Sequence, residues 1–344
     1  MADRPTSAAP ARRPTIRDIA AAARVSRSTA SRALSGQGYV AQAARLRVEE
    51  AAQTLGYVPD ATARHLRRRV SDSIGVVLSD LTNCFYAELA AGASQQARRR
   101  SYTMVLSDTA GLAADEVESA RAFVGLRVAG VITTPVSAEA GAYLRGQHVP
   151  TVEVDRQFAE GVADAVVVDN TAGASRVTRQ LVEIGHRRIA LFIDETRWTT
   201  GRDRYQGYAD ALATADVGLD PSLVVTSGWD VRAARAAAVR LLADPRRPTA
   251  VFAANNVLAE GVWRAAADLG LAVPADLSLV SFDDAPWMSM VSPGITAVAQ
   301  DVRTLGETAV DVLLDRLAQP DAPARTVVVP AEVVLRGSTA PPAG

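Results

Sequence analysis

The sequence predicts an α/β protein with a small all-α helix-turn-helix head and a body of two doubly wound parallel-sheet blocks. The head is predicted from residues 15–34, where apolar residues recur at helical spacing on both sides of a tight turn. The body is predicted from residue 73 onward, where short apolar runs such as IGVVL, GVITT and IALFI alternate with alanine-rich helical segments. This alternation is typical of parallel strands joined by crossover helices.

Composition excludes several classes of protein. The 344 residues are 48% hydrophobic, which is enough for two or three domains with sizeable cores. One cysteine, Cys84, and three histidines cannot form a disulfide framework or a cysteine zinc cluster, and no cofactor or nucleophile motif occurs. The first 14 residues hold no apolar run, and no 18-residue apolar stretch follows, so we expect a cytoplasmic protein that does not span a membrane.

Charge is divided unevenly along the chain. The formal net charge is −1, yet residues 1–70 carry 13 arginines against five acidic residues, which gives this stretch +8 and leaves −9 for the remainder. A basic head on an acidic body is typical of a protein that binds nucleic acid through the head alone.

The head contains two closely spaced helix starts. Thr15 has a spacing to Asp18 that suits a capped first turn, and Ser26 can cap a second helix a few residues later. Arg27 and Arg32 share the polar outer face of that second helix. Guanidinium groups on such a face can bond guanine edges in a DNA major groove, and neighbouring hydroxyls can hold phosphates. The alternative is a solvated amphipathic helix pair.

The residues after this pair complete the head and lead to the body. A glycine-punctuated loop at 35–39 precedes a third helix at about 44–55, whose apolar stripe covers the first two. Asp60 can then cap a short helix that ends in the arginines at 67–69. A helix of about nine residues is marginal by itself, so we expect it to fold only when DNA phosphates neutralise these arginines.

Eight segments resemble the LacI family of bacterial transcription regulators. Three come from the head, the hinge and the first strand: PTIRDIAAAARVSRSTASRALSGQGYV, RVEEAAQTLGYVPDATARHLRRR and SIGVVLSDLTNCFYAEL. Five come from the body: VEVDR (152–156), GHRRIALF (185–192), GRDRYQGY (201–208), FAANN (252–256) and LSLVSFDDAPW (277–287). The resemblance covers Thr15 to Val334.

This resemblance implies a ligand-responsive regulator, a repressor by the family's usual mode, that binds a palindromic operator in double-stranded DNA as a homodimer. Leu66 would wedge between base pairs in the minor groove and Arg67 would reach phosphates. The candidate DNA-binding residues are Thr15, Ser26, Arg27, Ser28, Thr29, Ser31, Arg32, Tyr39, Leu66 and Arg67. The tail after Val334, LRGSTAPPAG, holds no heptad, which favours a dimer over a tetramer.

The resemblance also implies a periplasmic-binding-protein-like body of two subdomains. We expect a disordered tail at 1–14, a helix-turn-helix domain at 15–58, a hinge helix and linker at 59–72, an effector-binding and dimerisation domain at 73–337, and a tail at 338–344. Within the body, the N-subdomain is expected at about 73–166 and 295–324, and the C-subdomain at about 167–294 and 325–337.

Polar residues follow several predicted strands, where a ligand cleft is expected. These are Asp80, Asp155, Asn255 and Asp283, with helix capping as the alternative, which we favour for Asp80. The resemblance assigns effector contacts to Phe85, Tyr86, Asp155, Arg204, Trp229, Asn255 and Asp283. Aromatic faces beside carboxylate, amide and guanidinium groups suit a sugar, and a purine or another small polar ring is the main alternative.

Four positions depart from the family pattern. Arg24 stands where the turn usually has glycine, Ala30 replaces a valine, and Ala41 removes the serine that caps the third helix. A left-handed arginine and a lost cap each cost about 1 kcal/mol. Asn256 stands where aspartate is usual and changes one hydrogen-bonding group of the effector site.

Two other classes of protein share part of this pattern. A solute-binding protein would share the body but needs no basic head, and a sugar enzyme would need an acid–base pair. The head favours a ligand-controlled transcription factor. We expect no catalysis, no cofactor and no metal.

Overall fold

A computed structural model describes residues 14–36, 38–57 and 71–343. The chain divides into two compact units, Met1–Arg69 and Val70–Gly344. Residues 1–13 of the expected tail and residues 58–70, which include the expected hinge from residue 59, lie outside the described residues. The candidate DNA contacts Leu66 and Arg67 belong to the second of these stretches, so both stay predictions.

The first unit is a three-helix head: α1 Ile16–Ala22, α2 Arg27–Ser35 and α3 Gln42–Thr54. Its core is small and rich in alanine, and it contains Ile19, Ala20, Ala23, Ala30, Ala33 and Val48. α3 begins after Ala41 with no side-chain cap. Leu55, expected in the apolar stripe of the third helix, lies just beyond its end and is 40% exposed. The head therefore depends on few large side chains.

Left-handed residues follow α1 and α3. Arg24 has a φ of 52° in the turn before α2, so the turn that usually carries glycine keeps its backbone conformation with an arginine. The cost of this conformation is about 1 kcal/mol. Gly56 has a φ of 61° after α3, at the position where helices commonly end on glycine.

The second unit alternates strands and helices. Its strands are β1 Ser73–Leu78, β2 Thr103–Asp108, β3 Val131–Thr133, β4 Thr151–Val154, β5 Asp164–Val168, β6 Ile189–Ile193, β7 Val224–Thr226, β8 Ala250–Ala253, β9 Ser278–Phe282, β10 Thr296–Gln300, β11 Thr326–Val329 and β12 Ala331–Val334. Its helices are α4 Cys84–Arg99, α5 Ala113–Leu126, α6 Ala138–Gly146, α7 Asn170–Glu183, α8 Thr199–Thr214, α9 Val231–Leu242, α10 Asn256–Asp268, α11 Trp287–Met290 and α12 Val302–Ala318. Within the described part of the chain, none of the helices has the length and apolar character that a membrane crossing requires.

The strands form two six-stranded sheets, in the orders β11-β5-β4-β3-β1-β2 and β12-β10-β9-β8-β6-β7. The first sheet is entirely parallel, and in the second only β12 is antiparallel to its neighbour. Alternate residues of β1 belong to different apolar clusters, Val76 facing one and Val77 the other. Helices therefore cover both faces of the first sheet, as expected of a doubly wound sheet. We call the part built on each sheet the first and the second half of the body.

The chain passes between the halves three times, at residues 169, 301 and 330. Two of these crossings correct the expected boundaries. β10, expected in the N-subdomain, pairs with β9 of the second sheet, and β11, expected in the C-subdomain, pairs with β5 of the first. An apolar run identifies a strand but does not identify the sheet that it joins, which is why both strands were assigned to the wrong half.

α4 and α12 pack closely through two glycines. A Cβ atom at Gly92 would lie 2.2 Å from the Arg303 carbonyl oxygen, and one at Gly306 would lie 2.2 Å from the Leu89 carbonyl oxygen. Only glycine fits at either position, because the two backbones approach each other there. This contact fixes α12 to the first half immediately after the second crossing.

Residues 338–340, expected as part of a tail, are bonded to the second sheet. The buried Ser338 hydroxyl accepts from the Thr296 N–H over 2.8 Å and donates to the Leu279 carbonyl over 2.6 Å. The Ala340 carbonyl lies 3.0 Å from Nε2 of His186, which is itself buried. Residues 338–340 therefore pack on the second sheet as part of the folded body.

Replacing Ser338 with alanine should lower the free energy of unfolding by about 1 to 3 kcal/mol, because the buried Thr296 N–H loses its acceptor. Denaturant titration followed by circular dichroism measures this change. Ser289→Ala is the control, since that hydroxyl is exposed and donates to the Pro286 carbonyl. Equal effects of the two substitutions would contradict a structural role for residues 338–340.

Candidate functional site

The start of α2 presents a cluster of hydroxyls. The Ser26 hydroxyl accepts from the Thr29 N–H over 3.1 Å and lies 2.8 Å from the hydroxyls of both Ser28 and Thr29. Free backbone N–H groups and the helix dipole favour an anion at a helix N-terminus. The hydroxyl cluster therefore stands where a phosphate could be held.

The outer face of α2 is basic. Arg27, Ser28 and Arg32 are exposed. The Arg32 Nε donates to the Ser28 carbonyl over 3.4 Å, so this side chain lies back along the helix toward the hydroxyl cluster. Tyr39, beyond the following loop, is 89% exposed. The structure thus brings six of the candidate DNA contacts, from Ser26 to Arg32, to the N-cap and the first two turns of α2.

The other candidates on the head are less accessible. Thr29 and Ser31 are half-buried. The Thr15 hydroxyl and backbone N–H both donate to one carboxylate oxygen of Asp18, each over 2.7 Å. Thr15 therefore contributes first to the start of α1.

In the second unit, Asp155 and Asp283 occupy equivalent positions in the two sheets. Each follows the strand that is third in its sheet order, β4 or β9. Their φ angles are 71° and 67°, and only 6% and 8% of their surfaces are exposed. A left-handed aspartate costs about 1 kcal/mol or more, and such strain commonly occurs at functional sites.

Arg204 on α8 connects several strand ends of the second half. Its Nε donates to the Asn170 side chain over 2.8 Å, and its Nη1 donates to the Ala254 carbonyl over 2.5 Å. Its Nη2 lies 3.8 Å from Asp283 Oδ1, and its guanidinium covers the Phe282 ring at 3.8 Å. These contacts hold a nearly buried guanidinium in one orientation.

Arg156, next to Asp155, is a second buried guanidinium. It is 3% exposed, and its Cζ lies 4.5 Å from the centroid of the Trp198 ring and 6.0 Å from that of Tyr86. Its Nη2 donates to the Ser79 hydroxyl. Trp198 belongs to the second half and Tyr86 to the first, so Arg156 contacts both halves.

Three buried carboxyls lie close to these two arginines. Burial raises the pKa of Asp155 to about 6, although Arg156 and Arg204 both lower it. Burial likewise raises the pKa of Asp194 and Asp283, with Arg204 as the main opposing charge. We call these five residues the charge cluster. Three negative charges face two positive ones, which suits a neutral ligand with hydroxyls better than an anion.

Among the described residues, the three aromatic candidates make two ring contacts, both of which involve Tyr86. The ring of Trp229 lies 6.2 Å from that of Tyr86. Phe85 lies edge-on to Tyr86 and lines an opening of about 130 Å³ that Asp283 also borders. Consecutive residues on a helix point about 100° apart, so the two rings cannot face the same partner.

Two strand-end residues also serve the local backbone. Asp80 accepts from the Thr82 N–H and hydroxyl over 2.9 and 2.6 Å in the loop before α4. The helix capping favoured for Asp80 is wrong, because Asn83 caps α4. Asn255 caps α10, since its Oδ1 accepts from the Leu258 N–H over 2.9 Å. The Asn255 Nδ2, in contrast, is buried with no partner among the described residues.

Buried donors without partners gather around the charge cluster. Within the described part of the chain, hydrogen-bond partners are absent for Arg156 Nε, Gln157 Nε2, Trp198 Nε1 and Asn255 Nδ2. An unpaired buried donor costs about 1 to 3 kcal/mol. Four of them in one region indicate a ligand that brings acceptor oxygens.

Several of these residues were missed in the sequence. Asp194 directly follows β6, so the strand-end rule that selected Asp155 would have found it. Arg156 and Gln157 come directly after Asp155, but side-chain direction after a strand is not readable from a sequence. Trp198 precedes α8 with no periodic signal.

Family models match both parts of the chain. Residues 15–60 match bacterial regulatory proteins of the lacI family. Residues 178–339 match a periplasmic-binding-protein-like domain.

Full-length relatives match nearly the whole chain. The ribose operon repressor of Haemophilus influenzae is 31% identical over 94% of this chain and 98% of its own. The lac repressor dimer bound to operator and the anti-inducer ONPF is 27% identical, with a TM-score of 0.86 over 96% of this chain and 100% of that one. A LacI family regulator from Enterococcus faecium with bound ribose is 27% identical, with a TM-score of 0.68 over 78% of this chain and 99% of that one.

The carboxyl of Asp155 should titrate near pH 6 in the ligand-free protein. The ¹³C resonance of this carboxyl, recorded as a function of pH, measures the titration. The folded pKa of Asp155 exceeds its ordinary value of 3.8, so its contribution to stability falls as pH rises through the interval between the two. Arg156→Gln should raise this pKa further by removing the nearer positive charge. A titration near pH 4 that does not respond to this substitution would contradict the described surroundings of Asp155.

Proposed function

The chain belongs to the LacI family of bacterial regulatory proteins, and we propose that it represses transcription by binding an operator. A small sugar-like effector controls the affinity of the protein for this operator. The observation that carries the proposal is the combination of an exposed basic recognition helix with a buried cluster of charges and unpaired donors. A solute-binding protein would need only the buried cluster and not the basic recognition helix. The relatives matched over their full length are repressors and not enzymes or solute carriers.

For DNA binding, we assign base contacts to Arg27, Ser28 and Arg32. All three are exposed on α2, and guanidinium forks match the acceptor pair of guanine. Ser26 and Thr29, in the hydroxyl cluster, are assigned to phosphate. Leu66 and Arg67 are assigned to the minor groove and to phosphate on the basis of the family resemblance.

For effector binding, we assign the charge cluster and its aromatic neighbours. The acceptors are the carboxylates of Asp155 and Asp283, and the donors include Arg204 and Asn255. Tyr86 and Trp229 supply apolar ring faces, on which a sugar ring can pack. D-ribose is the first effector to test, because a relative is a ribose operon repressor and a similar structure contains ribose.

We further propose a homodimer that works in the cytoplasm. One three-helix head reads a half-site, so a palindromic operator requires two. Half-buried Trp263 and Trp287 lie 6.5 Å apart, close to Met290, which is 79% exposed. An apolar patch of this kind on the second half is where a second copy can dock.

Arg32→Ala should reduce sequence discrimination by about 1 to 3 kcal/mol, because a bidentate contact to a base edge is lost. A binding selection from random duplex DNA measures this loss as relaxed preference at one position of each half-site. Arg17→Ala, an exposed arginine on α1, is the control and should weaken binding to all sequences alike. An unchanged preference with Arg32→Ala would show that α2 reads DNA through other side chains.

Asp283→Ala should weaken D-ribose binding about tenfold or more, because a sugar hydroxyl loses a buried acceptor and Arg204 loses the carboxylate 3.8 Å away. Isothermal calorimetry measures the affinity, and binding of the selected operator should survive. Asp268→Ala is the control, since that carboxylate pairs with Arg235 at the surface. If wild-type protein binds ribose and Asp283→Ala binds it equally well, the effector does not lie at the charge cluster.

A further inference from the structure

Two asparagine side chains form a reciprocal pair between the halves of the body. Asn83 precedes α4 of the first half, and Asn256 is the first residue of α10 in the second half. Asn256 Nδ2 donates to Asn83 Oδ1 over 2.9 Å, and Asn83 Nδ2 donates to Asn256 Oδ1 over 3.3 Å. Both residues are 7% exposed, so water competes little for either bond.

Each member of the pair is fixed by its own half. Asn83 Oδ1 also accepts from the Phe85 N–H over 3.0 Å, which caps α4. The backbone N–H of Asn256 lies near the carboxylate of Asp283 and opposes the rise of its pKa on burial. The same carboxylate accepts from the side chain of Gln300. The pair therefore connects the start of α4 to one of the carboxylates of the charge cluster.

A carboxylate at position 256, which is usual in the family, would serve this contact less well. It could accept from Asn83 but could not donate in return. It would also place a second negative charge beside Asp283, which is already buried. The amide of Asn256 supplies both a donor and an acceptor without charge, which gives the departure at this position a physical reason.

We propose that the Asn83–Asn256 pair is a latch that holds the two halves of the body together before effector binds, and thereby sets effector affinity. This inference rests on the proposed function, because the latch acts on the same cleft. Both asparagines are positioning residues, since their amides are engaged with each other. Separating the halves breaks both bonds at once. The apparent affinity scales with the fraction of molecules in the binding-competent arrangement, and the latch raises that fraction.

The test measures the arrangement of the halves and effector binding in the same full-length proteins. Dyes at Glu139→Cys and Arg246→Cys, one on each half and both exposed, report distance by single-molecule energy transfer. The shared background is Cys84→Ala, because Asn256 Nδ2 lies 3.7 Å from Cys84 Sγ and a serine hydroxyl there could replace the lost acceptor. Asn83→Ser keeps a cap for α4 but is too short to reach Asn256, and Asn256→Ala removes the other amide. Each should lower the ratio of closed to open molecules without ligand about tenfold. The Kd for D-ribose should rise by the factor by which the closed fraction falls, which is at most about tenfold.

The double variant distinguishes a latch from two separate structural roles. Because one pair is lost in every case, Asn83→Ser with Asn256→Ala should be no worse than either alone. Thr82→Ala, which removes a bond to Asp80 within the same loop, should change neither quantity. Additive effects, or an unchanged ratio without ligand, would overturn the latch. If wild-type protein does not bind ribose, the proposed effector fails, while the ligand-free distances still decide the latch.

Discussion

The burial of five charged side chains is the constraint on which the body depends. Asp155 and Arg156 come from the first half, and Asp194, Arg204 and Asp283 come from the second. A buried charge without a partner costs several kcal/mol, and each half supplies an arginine to its own carboxyls. Charges also act between the halves, since Arg204 lowers the pKa of Asp155 and Arg156 lowers that of Asp194. The electrostatic energy of the cluster therefore changes with the separation of the halves. Under the proposed function, this dependence would allow an effector bound at the cluster to change the separation of the halves.

The backbone and side chains of the charge cluster are held in fixed conformations. Asp155 and Asp283 hold left-handed conformations at equivalent strand ends, and Arg204 is held by Asn170 and the Ala254 carbonyl. The strain and the fixed guanidinium give a ligand preorganised partners, which reduces the entropy lost on binding. A ligand rich in acceptors would bind more tightly still, because it could accept hydrogen bonds from the four unpaired donors around them.

The sequence predicted the helices and strands better than it predicted which strands pair with one another. Helix caps such as Ser26 and strand ends such as Asp155 and Asp283 are local signals, and the structure has them where expected. Pairings between distant segments leave no such signal: β10 and β11 join the opposite sheets from those expected, because alternation of apolar residues does not encode a neighbour. Asn83 and Asn256 are 173 residues apart, so only the fold brings them together.

The central claim is that the unpaired donors around the charge cluster are satisfied by the effector. A crystal structure of the full chain with D-ribose tests it most directly. The account predicts sugar oxygens within about 3 Å of Arg156 Nε, Trp198 Nε1 and Asn255 Nδ2, with Asp155 and Asp283 accepting from sugar hydroxyls. Ribose bound elsewhere, with these three donors still unpaired and dry, would contradict it.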